Sequence, residues 1–306
     1  MDGLLLVDKP AGLTSHDVVA RIRRRLQGAK TGHFGTLDPL ATGLLVVAAG
    51  KAVRFNVFYS AREKVYEGRI RLGLATDTYD AEGDPSGEAL AVLPPAAELE
   101  AAALKLSGPL DQTPPPFSAK KLAGRPLYSY ARKGQSVAAA PVRVVIHEFE
   151  VRPAEPPDIF FRIRCSSGTY IRSLAHDLGR LLGCGAHLAA LRRTSVGEFY
   201  LEEARPLAEW EAALDAGQGL DRLIPLDRLV PELPEARVDA EGREFIRHGR
   251  LLPAERFTSR ETESAAGGAA QTGIFRLVDP DGALIGLGKW DPMSGCLTPF
   301  VVLIPI

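Results

Sequence analysis

Cysteine is scarce in this sequence, with three residues among 306, at positions 165, 184 and 296. They are odd in number and far apart, and none forms a CxxC pair or belongs to a Cys/His cluster. A disulfide framework and a structural zinc site are therefore not expected. The same pattern is typical of a reducing compartment, so we expect a cytoplasmic protein.

Long apolar runs are also missing, since no stretch approaches the ~18 apolar residues that a membrane helix requires. The segment Met1–Asp8 has no basic leader and is too short for a secretion signal. We therefore expect no membrane association. The apolar fraction of 45% is still enough for a sizeable core, and 306 residues can hold two domains or one large domain with an appendage.

Signatures of common cofactor sites are absent as well. The sequence contains neither a P-loop nor a GxGxxG motif. The acidic stretch from Thr76 to Glu88 lacks the ligand spacing of an EF-hand, and we interpret it as a hairpin turn. We therefore expect no metal and no cofactor.

Charge of one sign is not in excess, because 37 basic and 38 acidic residues give a net charge of −1. A nucleic-acid partner would therefore require local clustering of basic residues. Such a cluster exists between Gln112 and Val145, where six basic residues occur without a single acid. Phe117, Tyr128 and Tyr130 lie among these cations, as in surfaces that grip a phosphate backbone and stack bases. The alternative is an ordinary basic loop.

One acidic residue, Asp38, lies in an unusual context of proline and glycine residues. Asp38 is followed by Pro39, which disfavours helical backbone at Asp38. Glycines at 32, 35 and 43 permit tight turns around it, and the apolar run 44–49 directly behind it predicts a buried strand. The carboxylate therefore lies on a rigid loop at the edge of the core, either as a simple Asp-Pro turn or as a functional group.

A second anomaly lies near the start of a predicted helix. Ser166 to Gly168 turn the chain, and an apolar face from Ile171 to Leu181 follows with helical spacing. Arg172 is close to the helix N-terminus, where the helix dipole disfavours a cation. This position predicts a carboxylate or phosphate partner for Arg172.

The remaining pattern indicates a mixed chain. A helix capped by Thr14 and Ser15 carries four arginines, which are either a solvated surface or a phosphate-contact patch. Alternation over 64–73 predicts a half-buried strand in which Tyr66 shares its face with Lys64. We predict further strands at 3–7, 142–151 and 159–165 and a helix over 94–107.

Acidic residues concentrate between 202 and 235, and Pro231 and Pro234 predict a domain boundary near residue 230. The last ~75 residues suit a compact β-rich module rather than a second catalytic core. We predict one helix over 241–248, strands at 273–278, 283–290 and 299–305, and a flexible loop from Ser264 to Ala270.

Asp38, Tyr66 and Arg172, with His33 beside the first, are the candidate site residues. A carboxylate held by an arginine suits a nucleophile in glycosidic chemistry, where the sugar develops positive charge. The usual glycosidase needs a second carboxylate, and no partner acid is evident. A metal-dependent nuclease would need several acids together, which the basic segments do not offer.

The motifs together resemble the tRNA pseudouridine-55 synthases of the TruB type. The segment from Gly32 to Leu45 is similar to the catalytic motif of that family, and the similarity continues through five further motifs in the family's order. These are Lys9-Pro10 with Gly12 and Thr14-Ser15; Lys64 and Tyr66; Gln112 to Gly134; Ser167 to Arg172; and Leu191 to Arg193.

This resemblance implies the fold and its division. It implies an α+β fold with a mixed, largely antiparallel central sheet flanked by helices. Residues 1–229 would form the catalytic domain, with an RNA-binding insertion over about 112–143. Residues 230–306 would form a small β-rich PUA-like RNA-binding domain.

The resemblance also implies an activity: isomerisation of the T-loop uridine at position 55 of tRNA to pseudouridine, with the target base flipped out and without a cofactor. Asp38 would be the nucleophile or essential acid, Arg172 its ion-pair partner, and Tyr66 the group that stacks on the base and helps remove the C5 proton. Further substrate contacts are implied for His33, which would fill the space left by the uridine, for Leu191, which would pack on the base, and for Lys9, Lys64, Lys121, Arg132 and Tyr170. We expect tRNA as the partner, a monomer, and no obligatory protein partner.

One position departs from the family pattern. Phe34 stands where the family usually has a small or hydroxyl residue. Its ring either joins the stack on flipped bases or packs inward.

Three alternative functions remain compatible with the sequence. The first is the guide-RNA-dependent branch of the same family, which usually carries basic extensions that this sequence lacks. The second is an RNA-binding protein without catalysis, and the third is a nucleoside glycosidase that releases free uracil.

Overall fold

The computed structural model of the chain describes residues 1–87, 94–118, 120–122, 124–131, 135, 137, 139–259 and 273–305. Among the predicted site residues, Arg132 lies outside these ranges, and Lys121 is described only by its backbone. The predicted loop from Ser264 to Ala270 also lies outside the described residues.

A mixed sheet of ten strands forms the centre of the larger part of the chain, which confirms the predicted fold class. Its strands run in the order β14-β1-β3-β12-β4-β11-β10-β7, with β2 on β3 and β13 on β12. The strands, including two short hairpins outside this sheet, are β1 (Gly3–Lys9), β2 (Thr31–His33), β3 (Thr42–Ala49), β4 (Lys64–Leu72), β5 (Ala75–Thr76), β6 (Pro85–Ser86), β7 (Gly108–Gln112), β8 (Lys121–Leu122), β9 (Arg125–Pro126), β10 (Val142–Pro153), β11 (Asp158–Cys165), β12 (Ala186–Val196), β13 (Phe199–Tyr200) and β14 (Arg205–Pro206).

Six α-helices accompany this sheet in the described part of the chain, and β12 is its central strand. β12 pairs parallel with β3 and antiparallel with β4, so it joins the two halves of the sheet. The helices are α1 (Ser15–Arg25), α2 (Asn56–Ser60), α3 (Ala96–Lys105), α4 (Leu127–Ala131), α5 (Ile171–Leu181) and α6 (Leu207–Asp215).

The C-terminal part contains a second sheet of six strands, in the order β16-β20-β19-β18-β15-β17. Its apolar core includes Ile246, Leu277, Ile285 and Leu297. The predicted helix and three predicted strands are present, and three short strands were not predicted. The elements are β15 (Glu235–Val238), α7 (Ala240–Arg247), β16 (Leu252–Pro253), β17 (Phe257–Thr258), β18 (Ile274–Val278), β19 (Leu284–Asp291) and β20 (Cys296–Val302).

Contacts between Cα atoms divide the chain into two compact units. One contains residues 5–47 and 56–219, and the other contains residues 1–4, 48–55 and 220–306. The second unit therefore takes up two short N-terminal pieces, and its main segment begins ten residues before the predicted boundary at 229/230. The assignment of this unit as a PUA-like domain stays a prediction.

Helix α1 begins where the sequence predicts. The Thr14 hydroxyl accepts a hydrogen bond from the Asp17 backbone, and the Asp17 carboxylate accepts one from the Thr14 backbone, which together form a capping box. At the other end of the helix, Arg25 lies 2.8 Å from Glu211 and 2.9 Å from Asp215 of α6. Part of the arginine-rich surface is therefore paired within the protein.

The apolar face predicted from Ile171 to Leu181 is correct for Ile171, Leu174 and Leu178, which are buried in α5. It is wrong for Leu181, the last residue of the helix, whose surface is 50% exposed.

Phe34 packs inward, with 1% of its surface exposed. Its ring lies parallel to that of Tyr59, with centroids 5.3 Å apart and planes 10° apart. Tyr59 in turn contacts Phe199 at 5.3 Å. The large side chain therefore supports the loop that follows from within the core.

We expect Phe34→Ala to lower the free energy of unfolding by about 3–5 kcal/mol, because it removes a fully buried ring and leaves a cavity beside Tyr59. Urea unfolding followed by circular dichroism measures this change. Phe160→Ala is the matched control, since Phe160 is 52% exposed and its loss should cost no more than about 0.5 kcal/mol. Equal effects in the two variants would contradict the inward packing of Phe34.

Candidate active site

The loop that carries Asp38 joins β2 to β3 and is fastened to the start of α1. The Ser15 hydroxyl donates to the Leu37 carbonyl at 3.0 Å and accepts from the Leu37 amide at 2.8 Å. The Gly12 amide donates to the Pro39 carbonyl at 2.9 Å. Hydrogen bonds thus fix the backbone of both neighbours of Asp38, while 42% of the Asp38 side chain is exposed. The loop presents a carboxylate without letting it move freely.

Lys9 lies beneath this loop and is fully buried. Its ammonium donates to the carbonyls of Pro10 at 2.8 Å, Leu13 at 2.6 Å and Pro39 at 3.4 Å. Burial lowers the pKa of Lys9 to about 8, and the nearby Asp38 carboxylate opposes that change. The structure therefore places Lys9 as a support of the Asp38 loop, away from the surface where a substrate contact was expected.

Arg172 meets the Asp38 carboxylate directly. Its Nε lies 3.0 Å from Asp38 Oδ2, and its Nη1 lies 3.3 Å from Asp80 Oδ2. The guanidinium also donates to the carbonyls of Thr78 at 3.1 Å and Phe117 at 2.9 Å. Two carboxylates therefore supply the negative charge that a cation near the start of a helix requires.

Asp80 was missed by the sequence reasoning, although it lies within the acidic stretch interpreted as a hairpin turn. That hairpin exists as β5 and β6. Asp80 is nevertheless buried, and its carboxylate accepts hydrogen bonds from the Thr78 hydroxyl at 2.6 Å and the Glu82 amide at 3.1 Å. These donors fix the carboxylate that faces Arg172.

Tyr66 and Arg193 lie opposite each other on the paired strands β4 and β12. Burial raises the pKa of the Tyr66 phenol, and the nearby guanidinium of Arg193 opposes this increase. Arg193 is completely buried and donates to the carbonyls of Leu44 at 2.8 Å, Gly35 at 3.0 Å and Thr36 at 3.4 Å. One side chain thus connects Tyr66 with the start and the end of the Asp38 loop.

The sequence reasoning gave Arg193 no role of its own, since it appeared only within the last motif. Its partners are backbone carbonyls, and a sequence does not show which carbonyls a side chain will contact. The available signal was a pair of adjacent arginines within residues 186–196, a segment without acidic residues.

Lys64 lies beside the same loop at Gly35. Its ammonium donates to the carbonyls of Ser60 at 2.7 Å and Arg62 at 2.6 Å, and burial lowers its pKa to about 8. Gly35 passes between Lys64 and Arg193 with φ +103°, and a Cβ there would lie 3.3 Å from Arg193 Nη1. Only glycine suits both this φ and this narrow passage.

The other predicted substrate contacts surround this centre. Leu191 lies two residues before Arg193 on β12 and is 8% exposed. His33 ends β2, and burial lowers its pKa. Tyr170 precedes α5, where the Gln112 side chain accepts from its amide at 2.7 Å and donates to its carbonyl at 3.0 Å. Burial raises the pKa of the Tyr170 phenol.

Within the described ranges, no group of three His, Cys, Asp or Glu side chains is placed to hold a metal ion. None of the helices described is long and apolar enough to cross a membrane.

Comparison with known proteins decides the family. The model of the TruB family pseudouridylate synthase N-terminal domain matches residues 23–171, and that of the tRNA pseudouridylate synthase B C-terminal domain matches residues 172–231. A protein of Solibacter usitatus named tRNA pseudouridine synthase B is 42% identical over 273 residues, which are 89% of this chain and 93% of that protein. The chain belongs to the TruB family.

Other TruB relatives cover still more of the chain. The tRNA pseudouridine synthase B of Aromatoleum aromaticum is 43% identical over 302 residues, which are 98% of this chain and 92% of that protein. That of Cupriavidus metallidurans is 41% identical over 300 residues, 97% of this chain and 92% of the relative.

Solved structures share the fold of this TruB protein. The archaeal box H/ACA sRNP Nop10–Cbf5 complex contains a chain that matches with a TM-score of 0.71 and 25% identity over 99% of this chain and 86% of that chain. A Cbf5–Nop10–Gar1 complex matches with a TM-score of 0.71 and 26% identity over 99% of this chain and 85% of that chain. The pseudouridine synthase fold is therefore confirmed.

We expect Arg193→Met to lower the free energy of unfolding by about 3 kcal/mol or more, because the buried carbonyls of Gly35, Thr36 and Leu44 lose a charged donor. Urea unfolding measures this loss. Arg192→Met is the matched control, since the neighbouring Arg192 is 43% exposed and pairs with Asp8 at 2.7 Å. Its loss should cost at most about 1 kcal/mol, and a similar cost for both arginines would refute the anchoring role.

Proposed function

We propose that this protein converts the T-loop uridine at position 55 of tRNA to pseudouridine, with Asp38 as the essential acid. The family assignment supports an isomerase that acts on uridine in tRNA. The observation that carries the residue assignment is the Asp38 carboxylate itself. It is partly exposed on a fixed loop and lies 3.0 Å from a buried arginine.

The reaction breaks the bond from C1′ to N1 of the uracil, turns the base, and forms a bond from C1′ to C5, from which a proton leaves. Asp38 serves this sequence either by attacking C1′ or by assisting a glycal route through the neighbouring C2′ proton. Both routes need a carboxylate at the sugar, and Arg172 Nε lies 3.0 Å from the Asp38 carboxylate that would serve there.

Arg172 is itself fixed before the substrate arrives. Asp80 and the carbonyls of Thr78 and Phe117 occupy its other nitrogens, so the guanidinium cannot turn away from Asp38 without losing hydrogen bonds. A preorganised donor of this kind costs little reorganisation during the reaction.

Tyr66 provides the second group of the site. We assign it to stacking on the turned uracil and to removal of the C5 proton. This removal requires the phenolate, which burial of Tyr66 disfavours and the nearby Arg193 guanidinium only partly stabilises.

Substrate access requires base flipping, because a carboxylate held by a protein loop cannot reach C1′ of a uridine inside a folded T-loop. We assign His33 to the space that the uridine leaves and Leu191 to the face of the flipped base. We assign Lys64 and Tyr170 to further contacts with the flipped nucleotide, whereas Lys121 and Arg132 belong to the basic insertion over 112–143 that would hold the RNA backbone.

The organisation of the protein on its substrate is part of the same proposal. Residues 1–229 would carry the chemistry, and the PUA-like residues 230–306 would add RNA contacts. The protein would act in the cytoplasm as a monomer without an obligatory protein partner. The Cbf5 structures that share its fold are complexes with other proteins, so activity of the purified chain alone tests this point.

We expect Asp38→Asn to abolish release of tritium from tRNA labelled at C5 of uridine, while the affinity for tRNA stays within about threefold because it resides in basic side chains. Asp215→Asn is the matched control, since the Asp215 side chain is 58% exposed on α6, and it should retain activity.

The same assay separates the rival functions. Tritium release by the unaltered protein without free base supports isomerisation. Release of free uracil would show a glycosidase, and tRNA binding without tritium release would show a non-catalytic RNA-binding protein. Substantial tritium release by Asp38→Asn would exclude Asp38 as the essential acid.

We expect Asp80→Asn to lower kcat by about a hundredfold with KM changed less than threefold, because Arg172 loses its second carboxylate and Asp38 its fixed position. Single-turnover tritium release measures the chemical step directly. Asp215→Asn is again the exposed control. If the kcat of Asp80→Asn is within twofold of that of the unaltered protein, Asp80 is dispensable for positioning Arg172.

A further inference from the structure

We propose that Tyr79, through its ring stack on His176, is a positioning residue that holds Asp80 and Thr78 against Arg172. This inference rests on the proposed function of the Asp38 site and extends it to a pair of side chains outside the reacting groups. It begins from an unusual backbone conformation.

Tyr79 has φ +66°, in the left-handed region that residues with a side chain rarely adopt. This conformation is unfavourable for a residue other than glycine, because the Cβ approaches the following carbonyl oxygen. Strain of this kind persists only where the surrounding structure holds the residue in place. Glycine would adopt the same turn without that cost, so the aromatic side chain indicates a function of the ring.

The turn at Tyr79 brings Thr78 and Asp80 to the same nitrogen of Arg172. The Thr78 carbonyl lies 3.1 Å from Arg172 Nη1, and Asp80 Oδ2 lies 3.3 Å from the same nitrogen. The left-handed residue between them reverses the chain so that both oxygens point the same way. The position of Arg172 therefore depends on the geometry of residue 79.

The ring of Tyr79 stacks on His176, with centroids 3.8 Å apart and planes 12° apart. His176 lies four residues after Arg172 on α5, so the two side chains leave the same face of the helix. The helix thus contacts the turn twice, through Arg172 and through His176. Such an aromatic pair is stabilising beyond the area it buries, so it opposes the backbone cost at Tyr79.

The stack adds no charge beside the ion pairs of the site. Burial raises the pKa of the Tyr79 phenol and lowers that of His176, so both rings are neutral near pH 7. Both side chains are half-buried, and the backbone of Tyr79 is separately tethered to β12, where its carbonyl accepts from the Leu188 amide at 3.0 Å. Loss of the ring should therefore loosen the turn without unfolding it.

The test compares Tyr79→Phe, Tyr79→Ala and Tyr79→Gly by single-turnover tritium release from labelled tRNA. We expect Phe to keep kcat within twofold, because the stack is retained. Ala should lower kcat about tenfold with KM within twofold, as expected for a small displacement of Arg172. Gly relieves the backbone strain and lacks the ring, so its kcat should be as low as that of Ala even where its thermal stability is normal.

Two results would overturn the inference. One is normal kcat in Tyr79→Gly, which would mean that the ring only offsets strain. The other is a full tenfold loss when Tyr79→Ala is added to Asp80→Asn, because residues that act through one contact should not be additive. We expect less than a twofold further loss in that background.

The controls keep this inference apart from the proposed function. Phe160→Ala removes an exposed aromatic ring and should leave kcat unchanged. Absence of tritium release by the unaltered protein would refute the proposed function, whereas normal release by both the unaltered protein and Tyr79→Ala would refute only the role of Tyr79.

Discussion

The guanidinium of Arg172, held between two carboxylates, is the interaction on which the site depends. It is nearly buried, so each nitrogen must find a partner or lose much of its hydration energy. Asp38 and Asp80 supply the negative charges, and two carbonyls complete the set. Of the two carboxylates, Asp38 is the partly accessible one, with 42% of its side chain exposed, whereas Asp80 is buried. The arrangement therefore fixes the cation from within the protein and leaves one carboxylate open to a substrate.

Three further cationic side chains lie near the same loop, and their hydrogen-bond partners differ from those of Arg172. The hydrogen bonds that Lys9, Lys64 and Arg193 make in the described structure go to backbone carbonyls of the loop and of its neighbouring segments. Lys9 and Arg193 therefore hold the loop without competing for the Asp38 carboxylate. Both lysines are buried, and this burial lowers their pKa to about 8. The charge of Asp38 is left to Arg172.

The sequence was sufficient for features that rest on local rules. Proline and glycine around Asp38 predicted a displayed carboxylate, and the helix dipole predicted an anion for Arg172. It was insufficient where the fold joins distant segments. In the sequence, Asp80 belongs to an acidic turn that predicts exposure to solvent. In the fold, that turn pairs with β12 and Asp80 is buried, and the sequence does not show this pairing. The central strand β12 itself was not predicted, since Arg192, Arg193 and Thr194 conceal its alternation.

Phe34 shows how a departure from the family pattern can leave the chemistry intact. Its amide donates to the Val46 carbonyl at 3.0 Å, so the backbone continues beside β3 at this point. Phe34 follows directly after His33, the last residue of β2, and its ring is anchored on Tyr59 inside the core. With 1% of its surface exposed, the larger side chain fixes the backbone next to His33 from within the core.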